Sequence, residues 1–164
     1  MQALAYYDSP IGLLEISCTA LGINAITRVQ VRQKTPAGTV PRVLVDCVRE
    51  LDEYFHGTRK KFTVPLDLSA GTDFYRDVWR LVQAIPYGRT RSYSKIAETL
   101  GKPHASRAVG LANGRNPIPI IIPCHRVIGK DGSLTGYAYG LEMKEALLAI
   151  ENPKRFVTQA VLWG

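Results

Sequence analysis

The sequence predicts an α+β protein, in which a small antiparallel sheet with one helix is followed by a mainly helical domain. Two observations carry this prediction. Apolar and polar residues alternate over residues 4–29, as in half-buried strands, whereas apolar residues recur at helical spacing beyond residue 71. A break at Ser69–Gly71 separates the two patterns. We therefore expect two domains, residues 1–71 and 72–164.

The first domain should contain a three-stranded antiparallel meander. Turn residues at Ser9–Gly12 and Leu21–Gly22 divide the strands, which are expected at 4–8, 13–19 and 23–29. After a polar loop, the apolar stripe of residues 42–56 predicts one helix, ended by Gly57. Residues 62–68 are expected to form a further strand.

The second domain should begin with a helix capped by Thr72 and stopped at Pro86–Gly88. Two short helices follow, one capped by Ser92 and ending at Leu100, the other at His104–Asn113. Such a pair is a helix-turn-helix outline. The turn at Lys130–Gly132 predicts a hairpin wing between residues 127–128 and 133–134. A last amphipathic helix is expected at residues 141–150.

Composition restricts the class of protein. The chain has 21 basic and 14 acidic residues, a net charge of +7, which favours a polyanionic partner such as nucleic acid. No apolar run reaches membrane-spanning length, and the first residues do not resemble a signal peptide. Three cysteines do not form a disulfide framework. We expect a cytoplasmic protein.

The stretch Ile120–Gly129 carries the clearest chemical signal. An apolar run, expected to be a buried strand, ends in Cys124, His125 and Arg126. The thiolate is the reactive form of cysteine, and basic neighbours lower a thiol pKa, so Cys124 is a candidate nucleophile. The alternative, a buried structural cysteine, fits Cys18 and Cys47, which lie on apolar faces.

Two residues are candidates to assist Cys124. Neighbouring side chains in an extended chain point to opposite sides, so His125 would act on Cys124 through a bridging water. Glu151 could orient His125, although its spacing also fits a solvated helix end.

In the second short helix, Gly110 would allow close approach of another helix or of a nucleic-acid groove. Arg107 is the long cationic side chain among small residues there and could insert between bases.

These residues lie in motifs of a known family. Pro123–Val127 (Pro-Cys-His-Arg-Val) resembles the active-site motif of the O6-alkylguanine-DNA alkyltransferases. Further segments resemble the family in order and spacing: Ile85–Gly88, Ser92–Tyr93, Arg107–Gly110, Asn116–Pro117, Thr135–Tyr137 and Lys144–Leu148. The resemblance covers residues 72–151 strongly and the first half loosely, from Asp8–Gly12 onward. It implies a ribonuclease-H-like first domain and a winged helix-turn-helix second domain.

The resemblance also implies an activity. Members move an alkyl group from guanine O6 in double-stranded DNA to their own cysteine, once per molecule and without a cofactor. O6-methylguanine would be the main substrate and O4-alkylthymine a further one. The protein would be a monomer, with cooperative assembly on DNA left open. The alternatives are a non-catalytic alkylated-lesion-binding protein and, from Cys124 and His125 alone, a cysteine hydrolase.

Site residues carry over from the family motifs one by one. Cys124 would accept the alkyl group, His125 would activate it through water, Glu151 would orient His125, and Asn116 would tie the active-site turn to the helix pair. Tyr93 would donate to the flipped guanine and Arg107 would fill the hole that the base leaves. The remaining DNA-binding residues would be Ser94, Ala108, Gly110 and Arg115, and the remaining pocket residues Val127, Tyr137, Ala138, Tyr139 and Lys144.

Three points bear on how closely the chain follows the family pattern. Ala138 stands where some members have serine, but a backbone group can still donate to O6. Tyr139 stands where some members have glycine and others tryptophan, so we expect it to restrict large alkyl groups. Some members bind zinc in the first domain. Here Cys18, Cys47 and His56 are the available ligands, and both cysteines are expected in the hydrophobic core, so we expect no metal.

Overall fold

The computed structural model of the chain describes residues 2–35 and 37–156 and divides into two compact units, residues 1–70 and 71–164. In the first unit, three antiparallel strands pair in the order β1-β2-β3, and the helix α1 contacts all three. Their bounds are Leu4–Ser9 (β1), Gly12–Thr19 (β2), Gly22–Arg28 (β3) and Arg42–Phe55 (α1). The predicted meander and helix are confirmed.

The prediction of a strand at residues 62–68 is wrong. This segment makes a single bridge to the sheet, between Leu66 and Ile23. The backbone N–H groups of Thr63 and Val64 donate to the buried Glu50 carboxylate, at 2.8 and 3.3 Å from Oε1, instead of to a neighbouring strand. Pro65 has no N–H to donate. Three consecutive residues of the segment therefore offer no N–H group to a ladder.

The second unit contains four helices in its described part. Thr72 caps the first by accepting from the Tyr75 N–H at 3.1 Å, and Ser92 caps the second by accepting from Lys95, also at 3.1 Å. The bounds are Asp73–Gln83 (α2), Tyr93–Thr99 (α3), Ser106–Gly114 (α4) and Leu141–Glu151 (α5). None of the helices within residues 2–35 and 37–156 is long and apolar enough to cross a bilayer.

The predicted hairpin wing is wrong in its pairing. Val127–Ile128 (β5) pairs in parallel with Arg91–Ser92 (β4), the two residues before α3, rather than with residues 133–134. Residues 129–133 form a turn, in which the Gly129 N–H donates to the Ser133 carbonyl at 2.9 Å. The Asp131 carboxylate accepts from the Ser133 N–H at 3.0 Å and from its hydroxyl at 2.6 Å. Asp131 thus holds Ser133 in the turn.

The stretch before Cys124 is a buried turn, not the predicted strand. The Ile122 N–H donates to the Ile118 carbonyl at 2.9 Å, and Ile120 has a φ of 75°, rare for a β-branched residue. The Asn116 amide bonds this backbone at both ends, accepting from Ile118 N–H at 2.9 Å and donating to the Ile122 carbonyl at 2.7 Å. A side chain thus satisfies groups that a neighbouring strand would otherwise pair.

Candidate active site

Cys124 is the first residue of a short 3-10 turn, Cys124–Arg126, and is 6% exposed. Its carbonyl accepts from the buried Asn113 side chain at 3.2 Å. Burial raises the pKa of the Cys124 thiol, although hydrogen bonds from the Asn116 and Tyr137 side chains and the charge of Lys144 act against it. Cys124 is therefore a thiol at neutral pH, and it would have to lose its proton to act as a nucleophile.

His125 and Glu151 form a buried pair. His125 Nε2 lies 2.7 Å from Glu151 Oε2, and the two residues are 0% and 7% exposed. Glu151 is therefore not the solvated helix end that its spacing allowed. Burial lowers the pKa of His125, so the ring is neutral at neutral pH. Burial opposes ionisation of Glu151, but His125 and then Arg126 together lower its pKa to about 2.

These charges fix the tautomer of His125. Because Glu151 is a carboxylate, Nε2 must carry the proton of the 2.7 Å hydrogen bond. Nδ1 then holds the lone pair, and it has no hydrogen-bond partner among the described residues. Buried ring nitrogens normally have such a partner, so this atom is available to a water or a substrate group.

The relation between Cys124 and His125 differs from the expected one. Both belong to the 3-10 turn rather than to an extended strand, and successive side chains of such a helix lie about 120° apart. They still point in different directions, and His125 is not among the groups that shift the pKa of Cys124. The expected proton transfer through an intermediary stays a prediction.

Arg126 has a different position from the one its sequence suggests. Its charge was expected to lower the Cys124 pKa, but the guanidinium contacts Glu151, with Nε 2.7 Å from Oε1 and Nη2 2.9 Å from Oε2. The cation that does act on Cys124 is Lys144. Sequence reasoning missed both the Arg126 contact and the buried Asn113. The sequence feature that could have indicated the Arg126 contact is its position directly after His125, the candidate base.

Lys144 joins two parts of the site. It is fully buried on α5, and its Nζ donates to the Val127 carbonyl at 2.6 Å and to the Thr135 carbonyl at 2.9 Å. Burial lowers its pKa to about 8, which still leaves an ammonium at neutral pH. Tyr93 donates to the same Thr135 carbonyl at 3.1 Å, and Lys144 Nζ lies 5.9 Å from the centre of its ring. Burial also raises the pKa of Tyr93, so the phenol keeps its proton.

Of the other predicted pocket residues, Val127 is buried in β5 and the remaining three lie on one loop between Thr135 and Gly140. Tyr137 and Tyr139 are half-buried, with ring centres 6.1 Å apart, and Ala138 between them is exposed. The Tyr137 side chain lies near enough to Cys124 to oppose the rise of the thiol pKa. The structure therefore brings this loop to the thiol through Tyr137 and to α5 through Lys144.

The predicted DNA-binding residues lie on α3, on α4 and just after it. Arg107, Ala108 and Arg115 are exposed, and Ser94 is half-buried with its hydroxyl 3.0 Å from that of Ser92. In the described part of the chain, Arg107 makes no side-chain hydrogen bond or ion pair. A Cβ added at Gly110 would lie 3.8 Å from the Tyr93 ring, which is ordinary contact. Packing within the protein therefore does not require glycine there.

Fold and site together define a two-unit α+β protein with a buried cysteine beside a histidine–glutamate pair and two short helices. Two family models match the chain: the 6-O-methylguanine DNA methyltransferase ribonuclease-like domain at residues 3–68 and the DNA binding domain of the same name at 73–153. The chain belongs to the 6-O-methylguanine DNA methyltransferase family. The predicted fold class and family are confirmed.

Relatives match over most of their length. A methylated-DNA–protein-cysteine methyltransferase of Mycolicibacterium paratuberculosis is 48% identical over 148 residues, covering 88% of this chain and 89% of the relative. One of the same name from Methanosarcina barkeri is 46% identical, covering 90% and 97%. The crystal structure of Mycobacterium tuberculosis OGT in complex with DNA has a TM-score of 0.81 and 44% identity, covering 97% and 99%.

Proposed function

We propose that this protein repairs DNA by moving the alkyl group of O6-alkylguanine, chiefly O6-methylguanine, to Cys124. Residues 72–164 would be the acceptor and DNA-binding domain and residues 1–71 a scaffold. The observation that carries the proposal is the buried Cys124 thiol beside a neutral His125 whose Nε2 proton is held by Glu151. The methyltransferase names of the relatives support it.

The geometry supports a relayed deprotonation. A water between Cys124 and His125 would take the thiol proton and pass one to Nδ1, and Glu151 would stabilise the imidazolium. The sulfur then attacks the alkyl carbon, a carbon–sulfur bond forms, and the bond between that carbon and guanine O6 breaks. The electron pair stays on guanine, which takes a proton from Tyr93 or from the relay. The product is a thioether, which water does not hydrolyse, so each molecule acts once.

Access to the lesion requires base flipping, because O6 is inside the stacked duplex. Extrusion of a nucleotide costs about a few kcal/mol. Arg107 on α4 is exposed and has no side-chain partner among the described residues, so it could occupy the vacated position in the stack. The small residues around it, Ser106, Ala108 and Gly110, suit a minor groove. The net charge of +7 favours the duplex as partner.

Mass spectrometry after incubation with O6-methylguanine duplex DNA tests the proposal. We expect one gain of about 14 Da per protein, the mass difference between methyl and hydrogen, located on Cys124. Cys124→Ser should abolish the gain. Cys47→Ser is the matched control, because Cys47 is also buried and burial raises its pKa to about 12, so its removal should leave the transfer unchanged.

The other two candidate functions give different results in the same experiment. Tight lesion binding without a mass gain would support a non-catalytic lesion binder. Turnover of an ester substrate by Cys124 without a lasting mass gain would support a hydrolase.

A further inference from the structure

We infer that Arg126 is a positioning residue for the alkyl transfer, which holds the Glu151 carboxylate in the orientation that accepts the Nε2 proton of His125. The inference rests on the proposed function, since it concerns the same cysteine and histidine. The steps above do not use Arg126, yet it is 5% exposed and makes three hydrogen bonds inside the second unit.

The guanidinium binds the carboxylate side-on. Nε donates to Oε1 at 2.7 Å and Nη2 donates to Oε2 at 2.9 Å, so both oxygens are fixed by one planar group. His125 Nε2 donates to the same Oε2 at 2.7 Å. Rotation of the carboxylate would break both Arg126 bonds. The direction in which Oε2 faces His125 is therefore set by Arg126.

The guanidinium is itself anchored elsewhere. Its remaining nitrogen, Nη1, donates to the Ile85 carbonyl at 2.6 Å, just after α2, and its carbon lies 5.8 Å from the centre of the Tyr87 ring. The Gly88 N–H also reaches Glu151 Oε1, at 3.4 Å. The Ile85–Gly88 segment thus provides a fixed support for the arginine and the carboxylate together.

Charge gives Arg126 a second effect. His125 is neutral at neutral pH, so among the described residues Arg126 is the cation that contacts Glu151 in the resting site. Arg126 also repels the protonated form of His125. Loss of its charge should therefore make both His125 and Glu151 hold a proton more readily. In either case, the state with a neutral histidine and an ionised carboxylate is reached only at higher pH.

Other titratable groups around this pair stay in place when Arg126 is changed. Lys144 on α5 repels the protonated His125, Cys124 lies next to it in the chain, and Tyr87 faces Arg126 and Glu151. The change expected in the pH dependence comes therefore from Arg126 alone.

The test measures single-turnover transfer from saturating O6-methylguanine duplex DNA as a function of pH. Arg126→Met should lower the plateau rate by about tenfold and move the acid-side midpoint up by about one pH unit or more. Arg126→Lys keeps the charge but loses the side-on geometry, so its plateau should fall while its midpoint stays. Arg49→Met is the matched control, because Arg49 also pairs with a carboxylate, Glu53 at 2.9 Å, but on an exposed face of α1.

An equal loss of rate at every pH in Arg126→Met would overturn the inference, because it would indicate only structural damage. A midpoint in Arg126→Lys that moves upward would overturn it too, and this variant decides the question if Arg126→Met does not fold. Absence of transfer by the unchanged chain would instead refute the proposed function, so the two failures are distinguishable.

Discussion

Replacement of Glu151 by glutamine should destabilise the second unit strongly. The substitution preserves shape but removes the negative charge that Arg126 contacts at 2.7 Å, and it leaves that cation at 5% exposure. Removal of one partner from a buried ion pair typically costs about 3–5 kcal/mol of unfolding free energy. We expect a loss in that range at pH 7, together with a loss of transfer rate.

The pH dependence of stability reports on the same carboxylate, whose pKa is lowered by His125 and by Arg126 together. The Glu151 pKa is lowered from 4.5 to about 2 in the folded protein. A lowered carboxyl pKa contributes stability that is complete above the unfolded-state pKa and disappears as pH falls through the folded-state value. This shift corresponds to about 3 kcal/mol. The unchanged protein should therefore lose this contribution between pH 4.5 and about 2, and Glu151→Gln should lack that part of the slope.

Urea unfolding followed by Trp79 fluorescence measures both effects, because Trp79 is buried in α2 of the second unit. Trp163→Phe removes the other tryptophan signal. Glu50→Gln is the control: it changes a buried carboxylate of the first unit and should not lower the transfer rate of folded protein. Stability of Glu151→Gln within about 0.5 kcal/mol of the unchanged protein at pH 7, with the same acid slope, would refute the reasoning.

Four further outcomes are expected. Gly110→Ala should raise the melting temperature, because there is room for the added Cβ and alanine favours a helix over glycine by about 1 kcal/mol. If α4 enters a DNA groove, the same substitution should weaken binding to lesion DNA, and an unchanged affinity would contradict that docking. Lys144→Met should slow transfer by leaving the buried Val127 carbonyl without its donor and the Thr135 carbonyl with Tyr93 alone, and an unchanged rate would argue against a role in the pocket. Tyr139→Gly should raise the rate on O6-benzylguanine relative to O6-methylguanine, and an unchanged ratio would remove Tyr139 as a size filter. Arg107→Ala should slow transfer from duplex DNA but not from the free O6-benzylguanine base, and equal losses on both would exclude a role in base flipping.

Local signals in the sequence were sufficient for most secondary structure. Thr72 and Ser92 cap their helices as predicted, because a cap needs only a side chain and the backbone three residues on. The alternation at Gly12–Thr19 marked a strand, because one face of it is buried. Errors arose where a side chain, rather than a neighbouring strand, forms the hydrogen bonds of the backbone. Glu50 accepts from the N–H groups of residues 63 and 64, and Asn116 donates to the Ile122 carbonyl before Cys124.

The sequence by itself determined the α+β class, the two-part organisation of the helices and strands, the adjacency of Cys124 and His125, and the family. These depend on periodicity, capping and contiguous motifs. Tertiary structure decided that Arg126 contacts Glu151 rather than Cys124, that Lys144 donates to the Val127 carbonyl, and that Val127–Ile128 pairs with Arg91–Ser92. Partners of buried charges are set by the packing of elements that are distant in the chain, and no local pattern records which elements meet.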